Sequence, residues 1–115
     1  MQVTTSWRDR VLVAVLTGEI DTFDSEGLGE ALEEVARTDA AGVVLDFSGV
    51  KYIASMGIGM LVKLAKQVRT HGIHARIAGA SPAMRTVLNT VRLGSALPMD
   101  ATVEEAVGNL AGVKV

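Results

Sequence analysis

Cysteine is absent from this chain, which excludes disulfides and every form of thiolate chemistry. Aromatic residues are scarce, at 3% of the sequence: one tryptophan, one tyrosine and two phenylalanines. With eleven basic residues against thirteen acidic ones, the chain offers neither the electrostatic footprint nor the stacking platforms of a nucleic-acid binder. No apolar run approaches the ~18 to 20 residues that a membrane-spanning helix needs. Nor does a basic stretch lead into an apolar segment with a small-residue cleavage site. These absences predict a cytoplasmic protein without membrane insertion, whose partner is another protein rather than a nucleic acid. What the chain does have is 49% hydrophobic residues, spread in short runs over 115 positions. That is enough for one real core and too little for two, so residues 1–115 are expected to form a single domain.

Along the chain, Val3 to Trp7 and Arg10 to Leu16 read as two β-type stretches separated by the polar pair Arg8-Asp9, a hairpin or short connection. Both alternating sets of Val11 to Leu16 are apolar, which predicts a strand covered on both faces and ending at Gly18. A helix over Ser25 to Arg37 is expected to be capped by Asp24, burying Leu28, Ala31, Leu32 and Val35. Val43 to Phe47 reads as a short buried strand of parallel type, stopped by Ser48-Gly49. Leu61, Leu64, Ala65 and Val68 then recur at helical spacing within a helix from Met56 to Thr70. Next come a strand at Ala75 to Gly79 and a helix with Ser81 as cap and Pro82 in its first turn. That helix is expected to bury Met84, Val87, Leu88 and Val91 and to end near Leu93-Gly94. Leu97 to Met99 reads as an extended edge, and Thr102 and Glu105 have capping-box spacing for a last helix to about Leu110. Helices alternating with buried strands after an initial hairpin predict an α/β fold: one mixed β-sheet flanked by helices.

The stretch Val50 to Gly59 links a strand to a helix and carries the residue of greatest interest. Ser55 stands where a hydroxyl can cap the free N–H groups of the first helical turn, facing the positive end of the helix dipole. A phosphate there would meet oriented N–H donors. The bland reading is an ordinary N-cap; the sharper one is a regulated serine, and one hydroxyl can serve as both. Gly57 and Gly59 each sacrifice about 1 kcal/mol of helix propensity against alanine, which suggests close approach by another backbone. A nucleophilic serine is not indicated, because Ile53 to Gly57 lacks the first glycine of a nucleophile elbow. His71 and His74 have no third partner in the sequence, so no metal site is expected. Gly57-x-Gly59 is not a dinucleotide fingerprint, and no phosphate-binding Gly-Lys-Ser or Gly-Lys-Thr loop occurs. Neither a cofactor nor an enzymatic activity is expected.

Gly18-Glu19-Ile20-Asp21, Val43 to Phe47, Tyr52 to Gly59 and Ala80 to Met84, in that order and spacing, make the chain resemble the STAS domain of bacterial anti-sigma factor antagonists over nearly its whole length. The resemblance implies a STAS-like fold and a binding module that is a substrate, not an enzyme. In that family the turn reads Asp-Ser-Ser-Gly or Asp-Ser-Thr-Gly, and the first serine is phosphorylated by a partner that is both serine kinase and anti-sigma factor. The matching residue is Ser55. Ala54 stands at the aspartate position, removing a carboxylate that could orient the hydroxyl or contact the kinase. Met56 removes the neighbouring hydroxyl, which leaves Ser55 as the single acceptor.

The resemblance further implies that the unmodified chain binds an anti-sigma factor and that phosphate on Ser55 breaks the complex, a PP2C-type phosphatase restoring it. Asp21 and Asp24 are candidate contacts to the kinase, though loop aspartates ahead of a helix also serve as caps. Met56, Met60, Lys63 and Gln67 fall on one line of the helix, so Ala54, Ser55, Met56, Gly57, Met60 and Lys63 complete the expected partner surface. Met56 and Met60 could instead fill gaps at the core edge. The rival function is a constitutive STAS interaction module of a transporter or scaffold, never phosphorylated.

Overall fold

The structure, a computed structural model, describes residues 2–20, 25–37 and 39–111. In chain order the elements are β1 (Gln2–Arg8), β2 (Val11–Ile20), α1 (Ser25–Ala36), β3 (Gly42–Ile53), α2 (Ser55–Thr70) and β4 (His74–Ala78). They are followed by α3 (Pro82–Thr90), α4 (Leu93–Ala96), β5 (Met99–Asp100) and α5 (Val103–Ala111). The strands form one five-stranded sheet in sequence order, β1 antiparallel to β2 and every later pair parallel. This is the mixed α/β sheet expected of the alternating pattern.

Because side chains alternate along a strand, each central strand feeds two cores. Leu12, Ala14, Leu16, Val43, Leu45, Phe47, Ala75 and Ile77 face α1 to α4 and meet Leu28, Leu32, Leu61, Leu64, Met84 and Leu88 there. Val11, Val13, Val44 and Ala78 face the other way, onto Ala106 and Leu110 of α5. The double apolar alternation of β2 therefore has its physical cause in helices on both faces.

Two strands run further than their sequence suggests. β2 passes Gly18 to reach Ile20, and β3 passes Ser48-Gly49 to reach Ile53, the pair continuing in parallel through Thr17↔Gly49, Gly18↔Val50, Glu19↔Tyr52 and Ile20↔Ile53. Irregularities between Val15 and Thr17 and between Gly18 and Glu19 absorb the extra residues. Ser48-Gly49 is thus part of a bulged strand and not its end. Gly49 is needed there, since a Cβ on it would stand 2.8 Å from Thr17 Cγ2. The Ser48 hydroxyl and N–H both donate to Asp46 Oδ1, at 2.7 and 3.0 Å.

The helix α3 starts as expected, Ser81 Oγ accepting from Met84 N–H at 3.1 Å with Pro82 in the first turn. It stops sooner, at Thr90, with Arg92 in the left-handed region at φ 60° before the separate turn of α4. Only Met84 and Leu88 point into the core; Val87 and Val91, expected inside, are 42% and 46% exposed. One buried residue per turn is all that this short peripheral helix offers the sheet.

The β5 edge is only two residues long. It is fastened by Asp100, whose side chain is 8% exposed and accepts from Arg76 Nε at 2.5 Å, Arg76 Nη2 at 3.2 Å and Asn109 Nδ2 at 2.7 Å. Thr102 Oγ1 accepts from Glu105 N–H at 3.1 Å, while Glu105 Oε2 reaches back to Ala101 N–H, one residue before the expected capping-box partner. Among the described residues no helix is long and apolar enough to cross a membrane.

Candidate functional site

The long β3 delivers the chain to its turn with little freedom left. At the end of the β2–β3 ladder the Ala54 N–H donates to the Ile20 carbonyl at 2.7 Å. Ala54 then takes φ −77°, ψ 161°, and its own carbonyl accepts the first helical bond from Ile58 N–H at 3.1 Å. Ala54 is therefore the N-cap of α2, a buried one whose side chain makes no capping bond. This corrects the expectation that Ser55 caps the helix. The parallel ladder carries extended backbone as far as Ile53, so helical geometry begins at Ser55 and the half-in position falls one residue earlier.

Ser55 is the first helical residue and is exposed. It makes no side-chain hydrogen bond among the described residues. The N–H groups of Ser55, Met56 and Gly57 precede the first intrahelical bond, so three oriented donors converge at this end of α2. No acidic residue occupies the first turn. Between Asp46 and Asp100 the sequence holds no carboxylate side chain and seven lysines and arginines, so α2 and α3 have no acid of their own. Lys51 and Tyr52, both exposed, precede the turn at the end of β3, Tyr52 at 54% exposure, and Met56 follows it at 51%. Ser55 is thus framed by two large, solvent-facing side chains. Tyr52 is not singled out by any motif; the β-favouring run Val50, Tyr52, Ile53 is the signal in the sequence that β3 continues to this point.

Gly57 is buried, and the expected close approach is real but made by side chains. A Cβ on it would stand 2.9 Å from Ile53 Cγ1 and 3.0 Å from Ile20 Cγ2. Gly59 is different, since among the described residues nothing lies within 4 Å of the place its Cβ would take. The expected close backbone is found at neither position.

The line Met56, Met60, Lys63, Gln67 is divided by α1. Met56 is open to solvent at the turn. Met60 is half-buried, its Sδ 3.3 Å from where a Cβ on Gly29 would be, and Lys63 Nζ lies 3.6 Å from Glu33 Oε1. With Gln67 they line a cleft of about 290 Å³ between α1 and α2. Ala54, Ser55, Met56 and Gly57 are therefore together at the turn, while Met60 and Lys63 belong to the α1–α2 seam. Asp21 and Asp24 lie outside the described residues. His71 and His74 are both exposed, and His71 Nδ1 sits 2.8 Å from the Gln67 carbonyl at the end of α2.

A family model described as STAS domain matches residues 2–106. The chain belongs to the STAS domain family. This STAS chain is 22% identical over 113 residues to anti-sigma-F factor antagonist RsfB of Mycobacterium tuberculosis, covering 98% of the chain and 92% of that protein. The crystal structure of an anti-sigma factor antagonist from Mycobacterium paratuberculosis superposes with a TM-score of 0.87 at 22% identity, over 96% of this chain and 93% of that one. The Bacillus cell fate determinant SpoIIAA in its phosphorylated form matches with a TM-score of 0.73 at 21% identity, over 95% and 99%. At these identities the likeness to solved structures is one of fold. It extends to an antagonist observed in a phosphorylated form.

Proposed function

We propose that this STAS chain is a cytoplasmic anti-sigma factor antagonist, folded as one domain, whose binding to an anti-sigma factor with serine kinase activity is switched off by phosphate on Ser55. The observation that carries the reading is Ser55 itself. Its hydroxyl makes no hydrogen bond among the described residues, and the exposed Ser55 follows Ala54, whose N–H is hydrogen-bonded to the Ile20 carbonyl. The phosphate's ≈ −1.5 to −2 charge would be received by helix N–H donors on a helix without carboxylates, so the fold need not change. The same charge, set between Tyr52 and Met56, would oppose a partner packed on them. A PP2C-type phosphatase would return the chain to its binding form.

The test pairs the purified chain with each histidine-kinase-like ATPase of its own genome in the presence of ATP. Peptide mass spectrometry should find one phosphate, on Ser55 only, and calorimetric titration should show binding to unmodified but not to phosphorylated chain. Complexes that form without any phosphate on Ser55 would transfer support to the constitutive module. Ala54 favours that second reading, because it leaves the acceptor serine without a neighbouring carboxylate.

A further inference from the structure

The sheet has two very different edges. One is β5, two residues long and tied down by the Arg76–Asp100–Asn109 cluster. The other is β1, seven residues long, with every residue exposed except the half-buried Val3. β1 pairs with β2 on one side and borders no strand on the other among the described residues. Natural sheets protect such an edge with lysine, proline, bulges or inward-facing charge. Gln2 to Trp7 has none of these: it is uncharged, has no proline or glycine and is rich in β-favouring residues, and its pairing with β2 is regular throughout. Trp7, the only tryptophan, stands at its end 55% exposed.

We propose that β1 is a self-association edge, through which two copies of this chain pair antiparallel about a two-fold axis at Thr5. An axis perpendicular to the sheet keeps each side chain on its own face, so it must pass through a residue and not between two. Centred on Thr4 or Ser6, the pairing would use only part of the strand. Centred on Thr5 it uses all of it and sets Gln2 opposite Arg8, Val3 opposite Trp7, Thr4 opposite Ser6 and Thr5 opposite itself. Each pair is compatible: an aromatic with a β-branched residue, hydroxyl with hydroxyl, and no like charges facing. Trp7 and Val3 lie on the face of Leu12 and Leu16, their β2 partners, so the pair extends the apolar layer already on the sheet. The far edge, β5, is too short to template another strand, so assembly closes at two copies instead of growing into a filament.

Sedimentation velocity of the full chain over a concentration series should show a monomer–dimer equilibrium, and the emission of Trp7 should shift to shorter wavelength along the same curve as its neighbour Val3 covers it. Thr5→Lys, on an exposed residue, places a cation against its own symmetry mate and should raise the dissociation constant about tenfold or more. Thr5→Glu should do the same, and mixing the two variants should restore a dimer as a heterodimer. A wild-type chain that stays monomeric with a concentration-independent Trp7 spectrum overturns the proposal. So does a dimer that survives in both charge variants, or mass that keeps growing beyond two copies.

Discussion

Ile53 Cγ1 stands 2.9 Å from the point where a Cβ on Gly57 would be, so the last residue of β3 and the first turn of α2 are packed to contact. Gly57→Ala would gain about 1 kcal/mol of helix propensity but overpack a rigid strand end, which typically costs about 1–3 kcal/mol. A net loss of about 1 kcal/mol is expected. Gly59→Ala, two residues on and with nothing within 4 Å, should instead stabilise by about 0.5–1 kcal/mol. Urea titrations of the two variants beside the parent measure the difference, and equal signs would show that the Ile53 contact is not limiting.

The cap of α2 gives a second contrast. Ala54 has extended N-cap backbone and no oxygen to offer, so Ala54→Ser should stabilise by about 1 kcal/mol. Ser55→Ala should change stability by less than about 0.5 kcal/mol, because its hydroxyl makes no hydrogen bond among the described residues. A loss near 1 kcal/mol on Ser55→Ala in thermal melts would mean that the serine, not the alanine, terminates the helix.

How much of this was legible in the sequence follows from what each residue answers to. Buried strands and helical stripes answer to periodicity, so Leu12, Leu45, Leu61 and Leu88 could be placed by spacing alone. The ends of β2 and β3 answer to each other: Gly18 and Gly49 look like terminators in isolation and become bulge residues only once the two strands are paired. The one-residue shift at Ala54 has the same origin, since the hydrogen bond from Ala54 to Ile20 joins residues far apart in sequence. Val87 and Val91 obeyed helical spacing, but α3 ends at Thr90 and is too short and peripheral to bury both sides. The serine itself could be found by its place at the start of a helix, whereas its lack of a side-chain hydrogen bond among the described residues could not.

Met56 and Met60, alike in the sequence, should now separate. Met56→Glu, at an exposed position, should leave the melting free energy within about 0.5 kcal/mol of the parent. Under the proposed function it should weaken partner binding by about 2 kcal/mol, as for a hot spot. Met60→Glu puts a carboxylate into the seam beside Glu30 and Glu33 and should cost about 1–2 kcal/mol of stability. Paired melts and calorimetric titrations read both quantities, and a Met56→Glu variant that binds normally would remove the turn from the interface.

Asp100 holds β4, β5 and α5 through three hydrogen bonds made by a carboxylate whose side chain is 8% exposed. Asp100→Ala should therefore cost about 2–3 kcal/mol, mostly from the unpaired Arg76 it leaves behind. Thermal unfolding decides it; a change below about 0.5 kcal/mol would show that water replaces the carboxylate at that edge.

The hydrogen bond from Ala54 to the Ile20 carbonyl fixes more than a turn. It ends a ladder of twelve-residue β3 against ten-residue β2, so whatever is added one residue later lands on backbone already held by inter-strand hydrogen bonds. A chemical mark at Ser55 would therefore have no lever through which to move the interior. Its message would be legible only at the outer surface, to whatever touches that surface directly. Such a signal is as fast as the encounter that reads it and leaves nothing to refold when it is erased.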